Sequence, residues 1–159
     1  MKKLFIISAL IIASLCSCIK GSELVILAAE EAEYNKCREI FPEIECIRTG
    51  VGAGNVIKAC CNLPKGTRII NIGYAGSSFF TESDRANPTL YDMELNYIAS
   101  FSPHLELVAA VKIVSDNLSV DAFLNNAIRE SGVLTSDEVW ANVRQAVETI
   151  LSRNQDKKR

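Results

Sequence analysis

The chain has 159 residues, which leaves room for one domain with one modest core. Hydrophobic residues make up 48% of the chain and charged residues 23%, and this composition excludes a largely disordered protein. The formal net charge is −2, so there is no broad basic field to attract nucleic acid, and no nucleic-acid partner is expected.

The first 18 residues differ in composition from the rest of the chain. Two lysines precede an apolar run over 4–15, which meets a Cys-Ser-Cys segment ending at Cys18. A positive start, a short apolar stretch and small residues at its end are typical of a secretory signal, and the run is short for a membrane span. A leucine three residues before Cys18 and a serine directly before it also resemble a bacterial lipobox.

We therefore predict a signal peptide over 1–18, lipidation at Cys18, and an exported protein held at the membrane by a lipid anchor. The alternative is a cytoplasmic protein in which 1–18 forms a first core strand or helix. The Lys-Gly-Ser segment at 20–22 argues against that alternative, because it breaks the apolar run before a better strand begins.

The segment 19–155 is predicted to be one domain, and 156–159 a solvated charged tail. A continuous apolar run at 24–28 predicts a strand buried on both faces. Helical spacing predicts a helix from Glu30 to Phe41, which Pro42 ends. The further predicted elements are a strand at 45–48, a glycine-rich turn at 49–55, a helix at 55–61, a strand at 68–72, a turn at 73–78, a polar loop at 79–91, a helix at 92–101, a strand at 107–114, a turn at 115–117, a helix at 121–131 and a final amphipathic helix that begins near 135.

This alternation of strands and helices favours a three-layer α/β fold, with a mostly parallel central sheet flanked by helices. Ligands of such folds gather at the carboxyl ends of the strands. Three predicted strand ends carry small or polar residues there: the turn at 49–55, the turn at 73–78, and Ser115 with Asp116.

The four cysteines of the domain show no metal-ligand spacing, and His104 has no cysteine nearby, so no metal site is predicted. The adjacent pair at 60–61 is typical of small buried groups on a helix. A disulfide between Cys37 and Cys46 is open in an oxidising compartment.

The glycine-rich turn does not match a cofactor loop. Asn55 stands where the dinucleotide fingerprint needs its third glycine, and the Lys-Ser/Thr pair of a phosphate loop is missing, so no cofactor is predicted. Its amides and the following helix N-terminus could hold an anion or a sugar hydroxyl, but a merely geometric turn fits equally well.

Two acidic features also have structural explanations. Acidic residues at 92–94 suit the dipole of a helix that begins there. Asp116 could simply cap a turn.

Five ordered segments nevertheless carry a family resemblance: 25–31 (Val-Ile-Leu-Ala-Ala-Glu-Glu), 49–52 (Thr-Gly-Val-Gly), 71–76 (Asn-Ile-Gly-Tyr-Ala-Gly), 92–94 (Asp-Met-Glu) and 112–116 (Lys-Ile-Val-Ser-Asp). They resemble motifs of the phosphorylase superfamily, which includes purine nucleoside phosphorylases and methylthioadenosine/S-adenosylhomocysteine nucleosidases. The resemblance implies cleavage of the N-glycosidic bond of a purine nucleoside such as methylthioadenosine or S-adenosylhomocysteine.

The resemblance assigns the catalytic roles. Asp116 matches the acid that protonates the purine at N7 and makes the leaving group neutral. In the nucleosidases an acidic residue after the first strand helps to activate water. Ala32 falls where that residue belongs, so Glu31, the candidate here, or Glu33 could take the role only if the turn shifts.

The resemblance also assigns the binding roles. Glu94 would grip the ribose hydroxyls with Met93 packed beside the sugar, and Phe79, or else Phe80, would lie under the purine. Further substrate contacts are expected from small residues of the motifs: Gly50, Ala75, Gly76 and Ser115.

The chain is shorter than the family pattern. Only 77–91 joins the motif at 71–76 to the motif at 92–94, where family members carry further strands. A homodimer is expected, since the family assembles from dimers upward.

Arginines suited to phosphate are scarce, which favours water over phosphate as the nucleophile. The shortening and Ala32 favour the alternatives, a non-catalytic lipid-anchored nucleoside-binding protein or a degenerate family remnant.

Overall fold

The computed structural model of the chain describes residues 23–77, 90–117 and 131–156. The predicted signal peptide with Cys18, the aromatic residues Phe79 and Phe80, and nearly all of the helix predicted at 121–131 lie outside the described residues.

The described elements follow the predicted order, with the addition of one short strand and one 3₁₀ helix that were not predicted. They are β1 (Leu24–Ala28), α1 (Glu31–Ile40), β2 (Glu45–Arg48), α2 (Ala53–Cys61), β3 (Arg68–Ser77), β4 (Leu90–Tyr91), α3 (Met93–Phe101), β5 (Glu106–Asn117), a 3₁₀ helix (Val133–Thr135) and α4 (Asp137–Asp156).

The sheet is parallel except at one short strand. Strand β1 pairs in parallel with β2 and β3, and β3 pairs in parallel with β5, so these four lie in the order β2-β1-β3-β5. Strand β1 accompanies β3 only as far as Asn71. Farther along, β4 pairs antiparallel with Gly76 and Ser77 of β3. Because β5 already occupies the other edge of β3, β4 follows β1 along the same edge.

Helices cover both faces of this sheet, which confirms the three-layer α/β class. Alternate side chains of a strand point to opposite faces. One face therefore packs against α1 and α4 through Ile26, Ile70 and Ile72. The other face packs against α2 and α3 through Val25, Leu27 and Ile69. The core side chains that the helices supply are Cys37, Phe41, Trp140, Val143 and Val147 on the first face, and Val56, Cys60 and Ile98 on the second.

Three predicted turns or loops prove to be strand. The predicted turn at 73–78 is mostly strand, because β3 continues to Ser77, and the turn predicted at 115–117 belongs to β5. These two extensions pair with each other up to Ser77 and Asn117, so each supplies the backbone hydrogen-bond partners of the other. The predicted loop at 79–91 ends in β4.

The ends of the helices are set by caps. Glu30 and Glu33 form a capping box at the start of α1. Asp92 caps α3, as its acidic character predicts, and its Oδ1 accepts a hydrogen bond of 2.5 Å from the amide of Leu95. The residue that caps α4 is Ser136 and not Thr135. The Ser136 hydroxyl accepts a hydrogen bond of 3.5 Å from the amide of Val139.

The described cysteines are all free thiols. Cys60 is buried as predicted, but Cys61 is exposed, because it occupies the outer side of the last turn of α2. Cys37 and Cys46 belong to the same apolar cluster, and burial raises the pKa of the Cys46 thiol to about 11. That thiol is therefore protonated and unreactive at neutral pH.

No helix in the described part of the chain is long and apolar enough to span a membrane.

Candidate functional site

The carboxyl edge of the sheet has the geometry of a ligand site. The connection that leaves β1 carries α1 on one face, whereas the connection that leaves β3 toward β5 carries α3 on the other. Connections therefore leave the neighbouring strands β1 and β3 on opposite faces, and this leaves a crevice at their carboxyl ends.

A buried carboxylate lies at this crevice. Glu33, in the first turn of α1, is 2% exposed. Its Oε2 accepts hydrogen bonds from the amides of Ala29 at 2.9 Å and Glu30 at 2.8 Å, and its Oε1 accepts from Tyr74 N at 2.7 Å. The side chain thus joins the β1–α1 turn to the edge of β3 just beyond the point where β1 ends.

The environment shifts the acidity of this group. Burial raises the pKa of Glu33 and the neighbouring Glu30 carboxylate adds to the rise, whereas hydrogen bonds from the Glu30, Tyr74 and Ala29 amides oppose it. A carboxylate with a raised pKa holds a proton more readily, as a general base requires. A purely structural capping role would use the same three hydrogen bonds.

Gly73 makes room for this carboxylate. A Cβ atom at Gly73 would lie 3.0 Å from Glu33 Oε1. In the register of the sheet, Gly73 is the partner of Lys112 on β5. The backbone of Gly73 thus lies between the Glu33 carboxylate and the backbone of β5 at Lys112.

A second carboxylate reaches the glycine-rich turn. Glu94 Oε1, on α3, accepts a hydrogen bond of 3.1 Å from the amide of Gly52, the residue that caps α2. Gly50 and Gly52 have φ of +81° and +95°, values that strongly favour glycine. The structure therefore brings together two predicted site segments that are 42 residues apart in the chain.

Two apolar side chains flank this contact. Met93, beside Glu94, is 58% exposed, and Val51, beside Gly52, is 54% exposed. A bound ligand that rested on both would remove apolar surface from water.

A buried ion pair lies behind the carboxylates. Lys112 Nζ is 2.6 Å from Asp92 Oδ2, and the two side chains are only 4% and 5% exposed. Lys112 also donates to Asn71 Oδ1, while the Asn71 amide group donates to the Leu27 carbonyl at 3.3 Å. Sequence reasoning assigned Lys112 no role, although a lysine inside an apolar strand is rarely buried without a partner.

Three further predicted site residues lie at the same edge, namely Ala75 and Gly76 of β3 and Ser115 of β5. Ser115 and Ala75 are buried, at 2% and 3% exposure. Gly76 is the register partner of Asp116, so the backbone of Asp116 lies at the carboxyl edge beside β3. The side chain of Asp116 is outside the described part.

Glu31 does not join this group. Its carboxylate is 69% exposed and lies 3.4 Å from Arg48 Nη1 in a surface ion pair at the end of β2. The acidic side chain that turns inward after β1 is Glu33. The spacing of Glu33 and Cys37, four residues apart on one helix face, was the sequence signal for this.

One cavity adjoins the crevice. It has a volume of about 130 Å³ and is lined by Glu30, Ala32, Tyr74, Leu134 and Thr135. Small-molecule sites usually occupy roughly 300–1,000 Å³, so a nucleoside would extend beyond this cavity. A larger space of about 470 Å³, lined in part by Arg38, Pro42 and Cys46, lies at the start of β2, on the opposite edge of the sheet.

The fold and the site together define a doubly wound α/β protein whose acidic side chains gather at the carboxyl edge of the sheet. A scan of protein-family models found no match to the chain, and searches of curated proteins and of solved structures found none either. Any more particular assignment therefore depends on the residues of this chain. No group of three or more potential metal ligands occurs among the described residues.

Proposed function

We propose that this protein binds a purine nucleoside at the carboxyl edge of its sheet and hydrolyses the N-glycosidic bond. The observation that carries the proposal is that three segments distant in the chain lie at that same edge: Glu33 from α1, Glu94 on the glycine-rich turn, and the backbone of Asp116 beside Gly76. The resemblance of these same segments to phosphorylase-superfamily motifs supports the choice of substrate.

The chemistry assigns one task to each acid. Glu33 accepts a proton from water, and the water oxygen forms a bond to C1′ of the ribose. The bond from C1′ to the purine N9 breaks, its electron pair stays with the purine, and Asp116 donates a proton to N7. Glu94 holds the ribose hydroxyls and favours the positive charge that develops on the sugar. Met93, exposed beside Glu94, packs against the sugar.

The paired cations at this edge support water, not phosphate, as the nucleophile. Arg48, at the end of β2, and Lys112, in the second half of β5, each already have a carboxylate partner, Glu31 and Asp92 respectively. A phosphate dianion is normally bound by free cationic donors.

The alternative is a protein that binds the nucleoside without cleaving it. One observation favours it: three backbone amides already occupy the Glu33 carboxylate. A carboxylate has about four lone-pair sites, so at most one remains for water.

Incubation of the purified protein with methylthioadenosine, adenosine and inosine, with and without phosphate, tests the proposal by chromatography of the released base. We expect release that does not require phosphate, and a loss of roughly 10²–10⁴-fold in Glu33→Gln or Asp116→Asn. Glu31→Gln, on the exposed side of the same helix, is the control and should retain activity. Binding by the wild type without any release would support the alternative, and neither binding nor release would reject both.

We also propose that Cys18 is lipidated and anchors an exported protein to the membrane, as the sequence of 1–18 predicts. Incorporation of labelled palmitate that disappears in Cys18→Ala checks this, and equal labelling of the wild type and Cys18→Ala would contradict it.

The homodimer expected from the resemblance can be tested by sedimentation.

A further inference from the structure

The buried ion pair between Asp92 and Lys112 needs an explanation beyond stability. Both side chains are almost entirely out of water, at 5% and 4% exposure. Removing two charges from water costs about as much as their attraction returns, so apolar residues in their place would often give an equal or more stable fold. A pair of this kind is therefore better explained by the geometry that it imposes on its neighbours.

That geometry leads directly to Glu94. Asp92 has one carboxylate oxygen on Lys112 and the other on the amide of Leu95, where it caps α3. The first turn of α3 is thereby attached to β5. Glu94 lies in that turn, two residues after Asp92, and reaches the amide of Gly52 at 3.1 Å.

Lys112 is itself held on the sheet side. It donates to Asn71 Oδ1, and the Asn71 amide donates to the Leu27 carbonyl on β1. Lys112 thus connects β5, β3 and β1 to the start of α3. Its flexible side chain is held in place because its amine contacts both Asn71 and Asp92. A hydrophobic contact would resist sliding or rotation of the helix far less, because it has no directional requirement.

We propose that Lys112, acting with Asp92 and Asn71, is a positioning residue that sets Glu94 on the glycine-rich turn. The significance for ligand binding rests on the proposed function, in which Glu94 holds the ribose. The contact between Glu94 and Gly52 depends on the network whether or not a nucleoside binds there. An error of about 1 Å in such a contact can cost on the order of 10²-fold in rate.

The amide resonance of Gly52 in a ¹⁵N–¹H correlation spectrum reports the contact between Glu94 and Gly52 without any substrate. Glu94→Ala defines the resonance position of an amide that has lost its carboxylate. We expect Lys112→Met to move the Gly52 resonance most of the way to that position, and Lys112→Arg to leave it near the wild-type position. Lys36→Met, which removes the cation of the Lys36–Asp137 pair between α1 and α4, is the control and should not move it.

A folded Lys112→Met protein with an unmoved Gly52 resonance would overturn the proposal. Lys112→Met leaves the Asp92 charge buried without a partner, which destabilises the fold. The double variant Asp92→Asn/Lys112→Met leaves neither charge and must also move the resonance. If neither variant folds while Lys112→Arg does, the network serves the fold as a whole and the positioning role is rejected.

Activity provides the second measurement. If the wild type releases base from methylthioadenosine, Lys112→Met should raise KM for that nucleoside by about 10-fold or more, and Lys112→Arg should restore most of the loss. If the wild type releases none, the proposed function fails, while the Gly52 resonance still decides the positioning role.

Discussion

At the scale of single residues, the orientation of α1 decides which of two nearby acids enters the site. Successive residues of an α-helix are about 100° apart around its axis, so Glu31 and Glu33 point in different directions. Cys37, in the core, fixes the inward face, and Glu33 lies one turn before it on that face. Glu31 lies outside and pairs with Arg48.

The contact between Gly73 and Glu33 makes a prediction at this scale. Gly73→Ala would place a Cβ 3.0 Å from the Glu33 carboxylate, which must shift and weaken its hydrogen bond to Tyr74. We expect a loss of about 1–3 kcal/mol in the free energy of unfolding, measured with urea.

Gly54→Ala is the matched control for that change. A Cβ at Gly54, inside α2, meets nothing within 4 Å, so the same substitution should stabilise the helix by up to about 1 kcal/mol. Equal effects of the two substitutions would show that Gly73 makes no special room for Glu33.

At the scale of elements, α4 completes the core on the face that α1 begins. Its predicted apolar stripe is confirmed: Val143 and Val147 are buried, and Val139 and Leu151 pack against the same cluster. Trp140, 1% exposed, was not part of that stripe, and its indole N–H donates to the Leu134 carbonyl at 2.9 Å. The indole thereby ties the 3₁₀ helix to α4.

Truncation of one side chain measures how firmly α4 is docked. Val147→Ala removes two fully buried methyl groups, so we expect a loss of about 2 kcal/mol in the free energy of unfolding by urea. Val133→Ala is the control, because Val133 is 48% exposed, and should change stability by no more than about 0.5 kcal/mol. Similar losses in both variants would mean that α4 does not cover the core as described.

At the scale of the whole molecule, Glu33 couples folding to pH. Its pKa is raised in the folded state, chiefly by burial, so the folded protein binds more protons than the unfolded chain between the ordinary carboxyl pKa of about 4.3 and the raised value. The free energy of unfolding contributed by Glu33 is therefore highest below that interval and falls as pH rises through it.

Urea titrations at several pH values between roughly 4 and 7 test this linkage. We expect Glu33→Gln, which has no proton to lose, to gain stability relative to the wild type as pH rises. Glu31→Gln should follow the wild-type profile, since its exposed carboxylate leaves the buried group intact. A constant difference between wild type and Glu33→Gln across the range would contradict a raised pKa.

The sequence alone determined the fold class, the bounds of β1 and β2, and the existence of the four described α-helices, because apolar periodicity, caps and breakers act over a few neighbouring residues. Only the tertiary structure decided that β3 and β5 extend each other to Ser77 and Asn117, since a strand's length depends on a partner distant in the chain. The inward turn of Glu33 and the burial of Lys112 against Asp92 were likewise decided by packing between elements, because a charged side chain can be buried only where the fold places its partner.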